Sequence, residues 1–221
     1  MIQAYIPHGG IGIRVADPRW PKGAVEVAGR PFVAWQLEAL EKLGADQAIV
    51  RLQYRWREMI RAIGEARLSR LDVLVDVLPD GNMIEVPTAL RRVASILEPE
   101  FVLLHGDVYP VCSPRMLLAA LDHDAAGVMA CANAGPDNNV TVRFGRVIDI
   151  HNPETANAHD CGIYALRREC VMEARRSEDW STFLDSFRRR WAVLNVPSRP
   201  FEVGSRDGIQ AVRAAAECGE L

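Results

Sequence analysis

Short apolar runs alternate with segments of helical spacing through the first half of the chain, and this alternation constrains the fold more than any other feature. Strands that alternate with helices usually form a largely parallel sheet covered by helices on both faces. We therefore predict an α/β fold, Rossmann-like, with a mixed and mainly parallel sheet flanked by helices. The expected strands are residues 2–6, 47–52, 72–77 and 101–104, and the expected helices are residues 32–43, 56–63 and 86–97.

The second half of the chain has a different pattern, in which short strand-like runs follow one another with few residues between them. Phe144-Gly145-Arg146 is typical of a tight turn between two of these runs, so we expect a small antiparallel addition to the sheet. No low-complexity linker is visible, and a single domain over residues 1–221 is predicted. The expected elements are strands at residues 127–132, 140–142, 147–150, 162–166 and 193–196, an extended piece at 201–203, and helices at 179–190 and from Arg206 onward.

Composition narrows the class of protein. The 221 residues carry a formal net charge of -3, which argues against bulk affinity for nucleic acid or anionic membranes. No run approaches the ~18 apolar residues of a membrane span, and the N-terminus lacks the pattern of a secretory signal. The five cysteines are scattered and include no C-x-x-C pair, as expected of reduced thiols. We expect a cytoplasmic protein.

A glycine-rich segment follows the first expected strand. Closely spaced glycines let backbone N–H groups approach an anion, because no Cβ stands in the way. Arg14 adds a guanidinium, and Lys22 follows at a distance suited to neutralising phosphate charge. The simpler interpretation is a glycine turn with solvated charges. The anion-binding candidates of this segment are Gly9, Gly10, Gly12, Arg14 and Lys22.

Two known phosphate motifs do not fit this segment. The G-x-x-x-x-G-K-[ST] spacing of a P-loop is absent. A dinucleotide fingerprint is a poor match because Val15 occupies its third glycine position, although Arg51 lies where an NADP-type arginine would be expected.

Two carboxylates are placed to hold a metal ion. Asp107 follows the buried run at 101–104, and ligands of open α/β sheets bind at the carboxyl ends of the strands. Glu202 lies in a second extended piece. Carboxylate and phosphate oxygens are the ligands that Mg²⁺ prefers, so Asp107 and Glu202 are predicted metal ligands. The alternatives are a capping aspartate and an exposed strand glutamate.

Together these residues resemble the sugar-1-phosphate nucleotidyltransferase family, which has a GT-A-like fold, and the matches run through nearly the whole chain in the family's order. The family opens with G-G-x-G-x-R, P-K and V-x-G-x-P, as this chain does at residues 9–14, 21–22 and 27–31. Its later G-D, N-A-G-I-Y and D-I-G segments are similar to Gly106-Asp107, residues 160–164 and residues 202–204. The short length and residues 105–109 and 162–164 are most similar to guanylyltransferases that act on heptose 1-phosphates.

The resemblance implies a reaction in which a sugar 1-phosphate attacks the α-phosphorus of a nucleoside triphosphate, releasing pyrophosphate. Arg14 and Lys22 would be the catalytic cations, and Asp107 and Glu202 would hold Mg²⁺. A phosphate nucleophile is already ionised near neutral pH, so the chemistry needs positioning and charge stabilisation more than a base. Residues 1–110 would then form a nucleotide-binding half and residues 111–221 a sugar-phosphate-binding half.

The chain departs from the family pattern at several positions. The usual L-A-G-G start is Pro7-His8-Gly9-Gly10, which makes His8 a further nucleotide-contact candidate. The family's E-K-P lysine falls at Asn152, so Arg143, Arg146 or His151 would have to supply the missing positive charge. The aspartate of the family's closing D-I-G segment is replaced by Glu202. The residues expected to bind the acceptor are Asp160, Gly162, Arg146 and His151.

Other functions stay open. Cytidylyl transfer to choline phosphate or a phosphonate is favoured by the missing lysine and by Asp80-Gly81-Asn82, which resembles a segment of that group and makes Asn82 a nucleotide contact. A non-catalytic nucleotide- or sugar-binding regulator is a third hypothesis. No zinc site is predicted from His151 and His159, whose spacing fits no standard ligand pattern. The aromatic stripe Trp180, Phe183, Phe187 and Trp191 would pack in the core or at the interface of a homodimer.

Overall fold

The computed structural model describes residues 1–9, 21–78, 84–150, 152–173 and 179–221. These ranges contain eleven β-strands, seven α-helices and two 3-10 helices, at Lys22–Ala24 and Gly135–Asp137. The strands are β1 (Gln3–His8), β2 (Glu26–Val27), β3 (Arg30–Pro31), β4 (Gln47–Leu52), β5 (Asp72–Val77), β6 (Glu100–Leu104), β7 (Gly127–Ala132), β8 (Thr141–Arg143), β9 (Arg146–Asp149), β10 (His159–Arg167) and β11 (Trp191–Asn195). The helices are α1 (Phe32–Lys42), α2 (Trp56–Ile63), α3 (Val86–Arg92), α4 (Pro114–Ala119), α5 (Arg168–Glu173), α6 (Trp180–Ser186) and α7 (Arg206–Glu217). The predicted mixed α/β class is confirmed.

The chain divides into two compact units. The first unit comprises Ala4–Met83, Leu104–Pro110 and Pro200–Leu221. The second unit comprises Met1–Gln3, Ile84–Leu103 and Val111–Arg199.

The first unit contains strands in the order β5-β4-β1, and β4 and β5 are parallel over their whole lengths. Pro31 precedes α1 with the extended backbone that favours a helix start, and the apolar side of α1 is buried. A buried cluster joins α1 to α7, to β2, to the segment after β6 and to the segment before α7. Its members are Val27, Phe32, Ala39, Tyr109, Val203, Ile209 and Val212.

Two segments of the first unit run antiparallel beside each other after β6. Val108 forms an isolated bridge with Glu202. The Tyr109 N–H donates to the Phe201 carbonyl at 2.8 Å, and the Val203 N–H donates to the Asp107 carbonyl at 2.9 Å. The predicted extended piece at 201–203 therefore brings the backbones of the two expected metal ligands side by side.

The second unit contains strands in the order β6-β10-β7-β11-β9-β8. β10 is antiparallel to β7, β11 is parallel to β7, and β8 and β9 form an antiparallel hairpin. Phe144 and Gly145 connect that hairpin with φ values of 51° and 71°, the left-handed backbone that a two-residue turn of this hand requires. The predicted antiparallel addition and its turn are confirmed.

Two helices are shorter than predicted. α3 ends at Arg92 rather than Leu97, and the Gln3 side chain donates to the Ile96 carbonyl and accepts from the Glu98 N–H, which supplies partners outside a helix. α6 ends at Ser186, and the backbone of Arg189 donates to the Val147 carbonyl at 2.9 Å instead of continuing the helix. Among the described residues, no helix combines the length and the apolar character that crossing a bilayer requires.

Candidate functional site

Lys22 and Asp107 form a close ion pair in the first unit. Lys22 Nζ lies 2.7 Å from Asp107 Oδ2, and the two side chains are 20% and 26% exposed. Pro21 and the 3-10 helix Lys22–Ala24 place the lysine, while Asp107 follows β6 by three residues. The pair is thus partly sheltered and still open to a ligand.

The electrostatics of this pair favour an ionised carboxylate. Burial raises the pKa of Asp107, but the charge and hydrogen bond of Lys22 outweigh it, with a smaller contribution from His105. The net pKa lies below the usual aspartate value. Asp107 therefore stays negative at neutral pH and can bind a cation.

Glu202 borders the same small space as Asp107. A Cβ added to Gly204 would lie 3.3 Å from Asp107 Oδ2 and 4.0 Å from Glu202 Oε2. Two carboxylate oxygens therefore face the space beside Gly204, which a larger side chain would narrow. Within the described ranges, no group of three or more His, Cys, Asp or Glu side chains forms a metal site. Two carboxylates are nevertheless what Mg²⁺ commonly takes from a protein when substrate phosphates and water complete its shell, so the predicted residues fit this ion.

His8 is buried rather than exposed to a ligand. His8 is the last residue of β1 and is 6% exposed. Burial lowers the pKa of His8 to about 4, against the opposing charge of Asp107 and the nearby Gln36 side chain. The imidazole is therefore neutral at physiological pH.

Gly9 lies against a buried arginine that sequence reasoning had considered only for a dinucleotide. Arg51 is 1% exposed, and its guanidinium donates to the Gln53 side chain. A Cβ on Gly9 would lie 3.2 Å from Arg51 Nη2 and 3.3 Å from Gln53 Oε1. The beginning of the glycine-rich segment is thus packed on a buried cation, which no sequence motif signals because the contact joins β1 to β4.

Several predicted site residues fall outside the part of the chain that the structure describes. They are Gly10, Gly12, Arg14, Asn82 and His151.

The acceptor candidates lie in the second unit and form a network around Asp160. The Gly162 N–H donates to Asp160 Oδ1 at 2.9 Å, and the Tyr164 hydroxyl donates to Asp160 Oδ2. Trp180 Nε1 donates to the Tyr164 oxygen at 3.3 Å. Gly162 has a φ of 67° within an irregularity of the β10–β7 pairing, so its backbone favours glycine. The structure thus brings Asp160 and Gly162 together.

Tyr164 is the residue of this network that sequence reasoning did not single out. Burial and the negative charge of Asp160 raise the pKa of Tyr164 well above its usual value, so the hydroxyl stays protonated and donates. The ring also makes edge contacts with Trp180 and Trp191. Phe183 and Trp191 are fully buried, so this part of the aromatic stripe belongs to the core.

The remaining acceptor candidates have other partners. Arg146 Nη2 lies 2.6 Å from Asp122 Oδ2. Asn152, at the position of the expected lysine, is exposed and accepts the Glu154 N–H at 3.0 Å, as in a turn. Among the described residues, no lysine, arginine or histidine forms an ion pair with Asp160.

Solved structures of other proteins have the same fold as this chain. HddC from Yersinia pseudotuberculosis superposes with a TM-score of 0.83 over 98% of this chain and 100% of that one, at 16% identity. Its complex with GMP-PN gives a TM-score of 0.82 with the same coverage, at 17% identity. An inositol-1-phosphate CTP transferase from T. maritima gives 0.75 over 99% and 97% of the two chains, at 16% identity. The chain therefore has the fold of these proteins, which include a CTP transferase for inositol 1-phosphate, and the predicted resemblance is confirmed at the level of the fold.

One curated relative is similar in sequence. The CMP-5'-(3-aminopropyl)phosphonate synthase of Streptomyces rubellomurinus is 30% identical over 146 residues, which are 64% of this chain and 23% of that protein. The chain thus spans less than a quarter of the length of this relative. No known family profile matches the chain.

Proposed function

We propose that the protein transfers a nucleotidyl group from a nucleoside triphosphate to a sugar 1-phosphate, giving a nucleotide sugar and pyrophosphate. The observation that carries this proposal is the ion pair of Lys22 and Asp107, with the Glu202 carboxylate near Asp107. Lys22 follows the glycine-rich segment in the sequence. One cation and two carboxylates, in a fold shared with nucleotidyltransferases, suit a triphosphate and its divalent ion.

The reaction needs two anions to be held together. An oxygen of the acceptor phosphate attacks the α-phosphorus, and the bond from that phosphorus to the oxygen bridging to the β-phosphate breaks, so that pyrophosphate leaves with the electron pair. Lys22 carries three donors and can hold Asp107 and a phosphate oxygen at once. Arg14 would stabilise the charge that develops on the departing oxygens.

Asp107 and Glu202 would hold Mg²⁺. Bound there, the ion would neutralise phosphate charge and orient the triphosphate. The two carboxylate oxygens that face the space beside Gly204 support this assignment. Gly9, Gly10 and Gly12 would supply backbone N–H groups to the phosphates, and Asn82 would contact the nucleotide.

The proposed pair of substrates is GTP and a heptose 1-phosphate. The likeness to HddC, which has been solved with GMP-PN, supports the choice of a guanine nucleotide. Asp160 and Gly162 would contact the acceptor, and Arg146 or His151 would supply the positive charge that is missing at Asn152.

A second candidate, cytidylyl transfer to a phosphonate or to choline phosphate, is favoured by two observations. The curated relative makes a CMP ester of a phosphonate that carries an amino group. In this chain Asp160 is a carboxylate held by two donors and without a cationic partner among the described residues. An acceptor with an ammonium group would suit it better than a neutral sugar would.

The test measures pyrophosphate release with each of the four nucleoside triphosphates, Mg²⁺, and acceptors that include sugar 1-phosphates, choline phosphate and 3-aminopropylphosphonate. Release with a sugar 1-phosphate supports the main proposal, and release only with CTP and a cationic acceptor supports the second candidate. Lys42, the second of the two lysines in the chain, provides the matched control. Lys22→Ala should abolish release and Lys42→Ala should leave it unchanged. Nucleotide binding without pyrophosphate release in the presence of any of the acceptors would favour the regulator hypothesis instead.

A further inference from the structure

One edge of the His8 ring packs against two glycines that neighbour the ion pair. A Cβ added to Gly23 would lie 2.6 Å from both His8 Nδ1 and His8 Cε1. A Cβ added to Gly106 would lie 2.8 Å from His8 Nδ1 and 3.2 Å from His8 Cε1. These distances are far below ordinary van der Waals contact, so the same Nδ1–Cε1 edge packs directly on both backbones.

The two glycines are the chain neighbours of the charged residues. Gly23 follows Lys22, and Gly106 precedes Asp107. The imidazole therefore contacts both the backbone that carries the ammonium and the backbone that carries the carboxylate. A change in the ring changes the packing of both backbones.

We propose that His8 is a positioning residue whose ring sets the separation of Lys22 and Asp107. The inference rests on the proposed function only for its consequence on nucleotide binding. A flat ring with only two side-chain torsions is more rigid than an aliphatic chain of the same length, which suits a fixed spacer. His8 lies where the resembled family has a small residue, so this chain has its own means of spacing the pair.

A neutral ring fits this role. Burial keeps the imidazole uncharged at physiological pH, so it adds no third charge beside the ion pair. The Gln36 side chain of α1 and the charge of Asp107 act on the ring, and Met59 Cε of α2 lies beside Gly23. Among the described residues, the His8 Nε2 atom has no hydrogen-bond partner, while the Gln36 side chain interacts with the ring and opposes the lowering of its pKa.

The experiment uses the two glycines as a matched pair. Gly23→Ala places a methyl group against side chains, the His8 ring and Met59 Cε at 2.7 Å. Gly106→Ala places one against His8 and also against the Pro7 carbonyl oxygen at 2.6 Å, which is backbone. Adding His8→Ala should relieve the first clash and not the second.

The readout follows the ion pair without requiring activity. With only two lysines in the chain, the side-chain nitrogen signals of Lys22 and Lys42 are resolved by NMR and assigned with Lys42→Arg. At neutral pH the Lys22 signal of the wild-type protein should differ from that of Asp107→Asn, because only the wild-type ammonium has a carboxylate partner. We expect the Lys22 signal of Gly23→Ala to resemble that of Asp107→Asn, the signal of Gly23→Ala with His8→Ala to return to the wild-type position, and the signal of Gly106→Ala with His8→Ala to stay displaced.

Binding of each nucleoside triphosphate with Mg²⁺ is measured on the same variants. We expect about tenfold weaker binding in Gly23→Ala, with recovery in the double variant. The proposal is overturned if Gly23→Ala keeps the wild-type Lys22 signal and affinity, or if adding His8→Ala to Gly23→Ala does not restore them. If Gly23→Ala does not fold, His8→Ala alone decides, because a wild-type Lys22 signal and affinity in that variant would contradict the role. Absence of triphosphate binding by the wild-type protein would reject the proposed function, while the lysine signals would still test the spacer.

Discussion

Lys22 Nζ lies 2.7 Å from Asp107 Oδ2, although 85 positions separate the two residues in the chain. One residue follows a glycine-rich segment and the other follows a buried strand, so the contact joins the two places where an α/β fold binds phosphates and metal ions. A partly exposed pair of this kind contributes little to stability, and its position is better explained by ligand binding.

Removal of the ammonium should therefore affect binding far more than folding. We predict that Lys22→Ala weakens nucleoside triphosphate binding about 10- to 100-fold, because a phosphate oxygen loses its charge-assisted donor. The free energy of unfolding should change by at most about 1 kcal/mol. Calorimetric titration and urea unfolding give the two numbers. Comparable losses in both would mean that the pair is structural, and Lys42→Ala provides the control.

A methyl group beside the carboxylates should compete with the metal ion. We predict that Gly204→Ala raises the Mg²⁺ concentration needed for half-maximal nucleotide binding about tenfold, because the new Cβ lies 3.3 Å from Asp107 Oδ2 and 4.0 Å from Glu202 Oε2. Nucleotide binding measured without Mg²⁺ should be unchanged. An unaltered Mg²⁺ dependence would place the ion elsewhere.

The buried His8 should make the protein sensitive to mild acid. The pKa of His8 is lowered from 6.5 to about 4 on folding, so the unfolded chain takes up a proton between these values while the folded chain does not. The contribution of the neutral imidazole to the free energy of unfolding is therefore fully present above pH 6.5. It falls by about 3 kcal/mol as the pH decreases toward 4. His8→Gln is the control because glutamine does not titrate. Urea unfolding at pH 7 and pH 4 should show that the free energy of unfolding decreases more in the wild-type protein than in His8→Gln, by this amount. Equal losses would mean that the imidazole is already protonated or exposed.

Asp160 and Tyr164 should govern the acceptor and not the nucleotide. Tyr164→Phe removes the hydroxyl that donates to Asp160 Oδ2, and Asp160→Asn removes the charge. With a cationic acceptor we predict that Asp160→Asn raises KM about tenfold or more, because a charge-assisted contact is lost. With a neutral sugar 1-phosphate the effect should be smaller, and the affinity for the nucleoside triphosphate should stay the same in both variants. A change in nucleotide affinity would contradict this division of roles.

Local patterns predict much of the fold. Residues 47–52, 72–77 and 127–132 form strands with the expected bounds, and the turn at Phe144 and Gly145 is the one that its sequence favours. The ends of α3 and α6 were wrong because partners distant in the chain replace helical hydrogen bonds, as the Gln3 side chain does at Ile96. No local spacing contains that information.

The candidate site likewise contains residues that local motifs predict and contacts that they do not. Lys22 and Asp107 were predicted because each lies in a short motif with its own chemistry. The packing of His8 on Gly23 and Gly106 and the contact of Arg51 with Gly9 were not, since both depend on strands and loops that meet only in the folded chain. His8 was predicted to contact the nucleotide, and that contact stays a prediction, while the structure assigns the ring a buried position.

The most direct test of nucleotidyl transfer is a ³¹P NMR spectrum of the protein with Mg²⁺, a nucleoside triphosphate that it binds, and an acceptor from the active set. We predict that the triphosphate signals are replaced by those of pyrophosphate and of a pyrophosphate-linked product in equal amounts, and that Asp107→Asn and Lys22→Ala produce neither. Formation of nucleoside diphosphate and inorganic phosphate instead, or equal product formation by the two variants, would contradict it.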